Sequence, residues 1–176
     1  MRNSLQKYLP VHSADLKLPD NLKFKYYEGN WSKLPDFSML EPKLEGATSG
    51  FGVILGNRTD NFGIVFSGTL VIPKTGEYTI HLGSDDGSRL LIDGKQIVIV
   101  DGIHPHQFKN AKANLTAGEH ELVIEYFDGS AHNTLEALIE GQGLGKQSLT
   151  GLLYTPKPKD PVEKPLKSQV VAENKA

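Results

Sequence analysis

The sequence predicts an all-β protein: an antiparallel sandwich or barrel built from many short strands. Three observations carry this. The 176 residues include 18 Gly and 10 Pro, a turn-rich composition that suits strands better than helices. Apolar residues recur with a period of two, as in Leu122, Ile124 and Tyr126, which share one face of an extended chain. Turn signals such as Asp93-Gly94 separate the apolar runs, and no convincing amphipathic helix is found.

Residues 1–21 carry little periodicity and read as an N-terminal arm. Strands are expected at Lys23–Tyr27, Phe62–Ile72, Glu77–Leu82, Arg89–Ile92, Gln96–Val100, Phe108–Leu115, Glu119–Phe127 and Thr134–Ile139. Between the first two, Leu34–Glu45 has room for a short turn of helix. Pro73-Lys74-Thr75-Gly76 and Thr116-Ala117-Gly118 are turns, and Asp93-Gly94 suits a type I′ hairpin. The folded domain is placed at 22–154. In 155–176, Pro156, Pro158, Pro161 and Pro165 alternate with Lys, Asp and Glu, which reads as a stiff, solvated linker or tail. A linker implies a further domain, so the chain is read as a fragment of a larger parent.

Composition excludes several classes. Lys+Arg number 19 and Asp+Glu 21, so no basic face is implied and nucleic acid is not expected as a partner. Without cysteine there are no disulfides and no thiolate metal sites. No apolar run approaches the ~20 residues that span a bilayer, and the first residues lack a signal-peptide core.

The chemistry concentrates in Gly83-Ser84-Asp85-Asp86-Gly87-Ser88. Two adjacent carboxylates in a tight loop repel each other unless a cation lies between them, and oxygen-rich loops hold hard cations such as calcium. The plainer reading is a solvated turn pair, since Asp and Gly favour turns for backbone reasons. Asp101-Gly102 reads as a turn. In His104-Pro105-His106 the spacing puts both imidazoles on one side of an extended segment, weak grounds for zinc or nickel. Trp31 and Tyr27 read as core or clasp residues, and Arg89 as the partner of a nearby carboxylate. Enzyme signatures are absent: there is no Gly-x-Ser-x-Gly elbow. Gly141–Lys146 lacks the spacing of a phosphate loop and reads as a glycine turn. Adjacent carboxylates are also too close for a glycosidase pair, which needs roughly 5–10 Å.

Several ordered blocks together resemble the protective-antigen (PA-fourteen) domain family, a module of bacterial glycosidases and of adhesins. They are Tyr26-Tyr27-Glu28-Gly29-Asn30-Trp31, Phe66-Ser67-Gly68 with Ile72–Thr79, Ser84–Lys95, and Gly118-Glu119-His120 with Glu125-Tyr126-Phe127. The resemblance covers roughly Leu22 to Tyr154. It implies an antiparallel β-sandwich or barrel. In sugar-binding fungal members, two consecutive aspartates joined by a cis peptide bind calcium, which binds glycan hydroxyls. Carried over, it implies a calcium site at Asp85, Asp86 and Asp128 with backbone oxygens of Ser130 and His132. His132 stands where those members have a Trp, so stacking from that position is not implied.

The expected function is a non-catalytic, calcium-dependent carbohydrate-binding module of a larger exported hydrolase or adhesin, located outside the cell, on its surface or in the periplasm. Its glycan partner would meet Asp85, Asp86, His104, His106, His132 and Asn133. Those loops are polar and carry no Trp, so monosaccharide affinity is expected near millimolar. The alternatives are a protein-interaction or spacer domain without sugar binding, and an accessory domain shaping the cleft of an attached glycoside hydrolase.

Overall fold

A computed structural model describes residues 21–154. The linker expected at 155–176 and, apart from Asn21, the arm expected at 1–21 lie outside the described residues. Ten strands follow in order: β1 Leu22–Glu28, β2 Leu44–Thr48, β3 Phe62–Ile72, β4 Gly76–Asp85, β5 Ser88–Ile92, β6 Lys95–Val100, β7 Gln107–Leu115, β8 Gly118–Asp128, β9 Thr134–Gly141 and β10 Leu144–Ser148. Short 3-10 turns occupy Phe37–Met39 and Leu149–Leu152.

All pairings are antiparallel. One sheet runs β2-β1-β3-β8-β5-β6 and the other β10-β9-β4-β7. They form a sandwich and do not close into a barrel. The period of two decides what each strand buries. Phe62, Ile64, Phe66, Leu70 and Ile72 of β3 and Leu122, Ile124 and Tyr126 of β8 face Tyr78, Ile80 and Leu82 of β4 and Ala137 and Ile139 of β9 in one core.

β3 and β8 pair without a bulge from Phe62↔Asp128 to Ile72↔Gly118. Along β8 the inward face carries His120, Leu122, Ile124, Tyr126 and Asp128, all buried. A titratable group therefore lies at each end of an otherwise apolar row. At the β8 start, His120 meets Asp93 Oδ2 through Nδ1 at 2.6 Å and the Thr116 carbonyl through Nε2 at 2.8 Å. Asp93 and Gly94 both have positive φ, 51° and 73°, as the type I′ hairpin requires. Asp93 also accepts the Glu121 N–H at 2.9 Å, so this turn fastens the sheet rather than merely reversing the chain.

The strands at Leu44–Thr48 and Leu144–Ser148 were not expected. Both are largely exposed edge strands, so hydrogen bonding forms them without an alternating apolar signal. The helical turn expected within Leu34–Glu45 is the 3-10 turn, opened by Asp36 Oδ1 accepting the Ser38 N–H. Trp31 and Tyr27 close around Phe37, with ring centroids at 6.0 and 5.0 Å, as a clasp. The Arg89 guanidinium pairs with Glu125, its Nε at 2.7 Å from Oε2. Leu22 pairs with Gly68 of β3, and Leu153 bridges to Leu70 further along that strand. The Tyr154 N–H then donates to the Thr69 carbonyl at 2.8 Å.

Candidate functional site

At the Phe62–Asp128 end of the sandwich, three segments converge: the Asp85–Gly87 turn, the 101–106 loop and the 129–133 loop. The Asp85–Asp86 peptide is cis. β8 holds this turn in place. The Tyr126 hydroxyl donates to the Asp85 carbonyl at 2.6 Å, and the Phe127 N–H to the Gly87 carbonyl at 2.9 Å. Burial, then the Asp128, Asp86 and Asp85 charges, keep the Tyr126 phenol protonated. Glycine at 87 gives the turn room, because a Cβ there would lie 2.3 Å from the Phe127 ring unless the turn or the ring moved. Beneath the turn, Ser84 Oγ and Ser88 Oγ share a buried hydrogen bond of 2.6 Å.

Asp86 is 1% exposed and gathers both flanking loops. Its Oδ1 accepts the His104 N–H at 2.9 Å, and its Oδ2 accepts the Gly129 N–H at 2.8 Å. Asp101 anchors the 101–106 loop from the other side, its Oδ1 accepting the Leu34 and Gly102 N–H groups, each at 2.8 Å. The 129–133 loop is tied to the segment before β3. The Ala131 N–H donates to Asp60 Oδ1 at 3.0 Å, and Asn133 Nδ2 to the Thr59 carbonyl at 3.0 Å.

Asp128 is different. It is 0% exposed, and neither carboxylate oxygen meets a donor in good hydrogen-bond geometry among the described residues; the Asn61 N–H and the Tyr126 hydroxyl, which donates to Asp85 instead, are its nearest candidates. Burial pushes its titration up to about 7, and the Asp86, Asp60 and Asp85 charges add to the shift. A buried carboxylate without donors is costly and calls for a compensating group. Four carboxylates whose charges act on one another, Asp60, Asp85, Asp86 and the buried Asp128, have the chemistry of a hard-cation site. Yet no cluster of three or more His, Cys, Asp or Glu side chains is assembled as a metal cage among the described residues. The residues fit a calcium ion only if backbone oxygens and water complete its shell.

Of the other expected site residues, Ser130 and His132 lie on the exposed rim of the 129–133 loop. His104 Nδ1 donates to the Pro105 carbonyl at 2.9 Å, which leaves Nε2 a buried acceptor without a partner. His106 instead packs edge-on against Phe108, centroids 5.0 Å apart. The two imidazoles thus have separate partners. Asn133 serves the loop through its Nδ2. Sequence reasoning missed Asp60, whose only signal was the polar run Asn57–Asn61 before a strand. It also missed Ile103 and Phe108, 52% and 47% exposed on the loop side of the site.

The chain belongs to the PA14 domain family: the family's profile matches residues 52–144, which is 93 of 176 residues. β1 and β2 precede that match. No curated protein matches the chain significantly. Among solved structures, an anti-sigma factor domain-containing protein from Clostridium clariflavum aligns at 21% identity and TM-score 0.64, covering 80% of this chain and 48% of that one. A PA14 sugar-binding domain from an RTX adhesin aligns at 15% identity and TM-score 0.62, covering 78% and 99%. The epithelial adhesin 9 A domain from Candida glabrata, in complex with Galb1-3GlcNAc, aligns at 12% and TM-score 0.57, covering 76% and 88%. At these identities the likeness is one of fold. The chain spans about half the length of the first structures it matches. No helix among the described residues is long and apolar enough to cross a membrane.

Proposed function

We propose that the domain is a non-catalytic, calcium-dependent carbohydrate-binding module, carried outside the cell by a larger hydrolase or adhesin. The observation that carries this reading is Asp128, a buried carboxylate without a partner, beside the Asp85–Asp86 turn. Asp85, Asp86 and Asp128 would hold the ion with backbone oxygens of Ser130 and His132. Bound calcium would supply a Lewis-acidic centre for vicinal sugar hydroxyls. The chain's own residues do the rest. Asp86 fixes the two loops to one another, Asp101 ties its loop to the Leu34 backbone, and Asp60 ties the other loop to the segment before β3. His104, His106, His132 and the remaining oxygen of Asn133 form a polar rim that would select among glycans. A sugar-binding adhesin domain and a glycan-bound adhesin among the structural neighbours support the reading.

The test is calorimetry with calcium, followed by a glycan array with calcium or chelator. One ion per chain is expected for the wild type and much weaker binding for Asp128→Ala. Wild-type heats that match buffer at millimolar calcium would end the reading. Calcium binding without any array signal would instead favour a spacer or protein-interaction domain.

A further inference from the structure

Phe108 lies near the start of β7 and is 47% exposed. Its cross-strand partner is Gly83 of β4, and the ring leans onto that glycine. A Cβ at position 83 would sit 2.4 Å from ring carbon Cε1 and 2.7 Å from Cδ1 and Cζ. The absence of a side chain at 83 thus lets the ring lie against the sheet. His106 packs against it at an interplanar angle of 86°. The ring is supported from beneath and buttressed by an imidazole, with nearly half its surface open to solvent. Asp85 follows Gly83 by two residues on β4, on the same face and roughly 7 Å further along. Beside Asp86, Ile103 overhangs Gly129. A Cβ at 129 would lie 2.5 Å from Ile103 Cδ1 and 3.4 Å from Asp86 Oδ2.

A single exposed apolar residue means little. Here two of them lie by the same carboxylate turn, Ile103 by Asp86 and Phe108 on Gly83 just before Asp85, and one is an aromatic ring packed in place. We propose that Phe108, with His106 at its edge, is a stacking subsite for a second sugar ring. The ligand class is then an oligosaccharide rather than a lone monosaccharide. Its first ring engages the Asp85–Asp86 turn, and its next ring lays an apolar C–H face on Phe108. This inference rests on the sugar-binding reading above and adds to it the length of the ligand and where the second ring lies. Apolar contact on a preorganised ring gives affinity that hydroxyl contacts alone do not.

The experiment uses the full chain with Phe108→Ala and Phe108→Trp, both at an exposed position that leaves the core intact. Calcium alone is titrated first, and all three proteins are expected to bind it equally. An array of monosaccharides and their one-ring and two-ring extensions is then read in millimolar calcium. Affinities for the strongest mono- and oligosaccharide pair are measured by calorimetry. Phe108→Ala should weaken the oligosaccharide roughly five- to tenfold and the monosaccharide less than twofold, the size of one aromatic contact. Phe108→Trp should restore or exceed wild-type oligosaccharide affinity. Equal affinity of wild type and Phe108→Ala for the oligosaccharide, or equal loss for both ligands, overturns the subsite while leaving the calcium reading in place. A wild type that binds calcium but no array sugar overturns both.

Discussion

Replacing Asp128 by asparagine in calcium-free buffer should remove a pH dependence of stability that the wild type carries. The carboxyl titrates at about 7 in the folded domain against 3.8 for an unperturbed group, because it is buried and faces Asp86, Asp60 and Asp85. Below about pH 4 both folded and unfolded states hold the proton, and the group leaves stability unchanged. As pH rises from there towards 7, the unfolded chain releases its proton and the folded one keeps it. Unfolding is then favoured, so stability falls across this window and levels off above it. The rise from 3.8 to about 7 is about 3 pH units, or at most about 4 kcal/mol at roughly 1.4 kcal/mol per unit. Solvent reaching the half-buried Asp85 and Asp60 weakens the repulsive part, so about 2–3 kcal/mol is expected. Asparagine keeps the shape and cannot ionise. Its amide also lacks partners, so the informative quantity is the change with pH rather than stability at one pH. Urea unfolding at pH 4.5, 6 and 8 in chelator measures it. The wild type should lose about 2–3 kcal/mol relative to the variant between the outer values. Parallel profiles would refute the argument from burial. Millimolar calcium at pH 8 should restore the wild type and leave Asp128→Asn unmoved, since only a ligand of the folded state stabilises it.

At the opposite end of β8 the sign reverses. The Asp93 carboxylate, then the Thr116 carbonyl, raise the titration of His120, so its contribution is complete below about pH 6.5 and fades as pH passes the higher folded value. His120→Gln should cost about 1–3 kcal/mol near pH 6, with a gap that narrows in alkaline buffer; a gap that widens with pH would contradict the imidazolium. Gly87→Ala should cost about 1–3 kcal/mol in thermal or urea unfolding, because its methyl meets the fully buried Phe127 ring, and an unchanged midpoint would show that the turn can shift.

How much could be read beforehand follows from what each element depends on. Phe62–Ile72 was legible to the residue because alternate side chains enter the core along its whole length. Leu44–Thr48 and Leu144–Ser148 were not, because edge strands need only a ladder of backbone bonds. Asp85, Asp86 and Asp128 were named from ordered motifs, and the fold brings their charges near one another. The supports of the site were hidden. Asp60 reaches Ala131 across 71 positions and Asp101 reaches Leu34 across 67, and no local pattern encodes such meetings. Phe108 was read only as a strand residue. Its exposure depends on a glycine in the neighbouring strand, and that pairing is set by register rather than by sequence proximity.

The bridge from Leu153 to Leu70 has a mechanical consequence. β1 occupies one edge of β3 as far as Gly68, and the last described residues take up the same edge at Thr69 and Leu70. The first strand and the final residues therefore lie end to end along one strand, roughly 20 Å from Phe62, where β3 meets the carboxylate end. A pull applied between these two points would load the Leu22 end of the seven-residue β1–β3 ladder and the Leu153–Leu70 bridge before it reached the β3–β8 ladder. Under such a load, separation would begin at Gly68 and Leu70, about six residues along β3 from the carboxylate end.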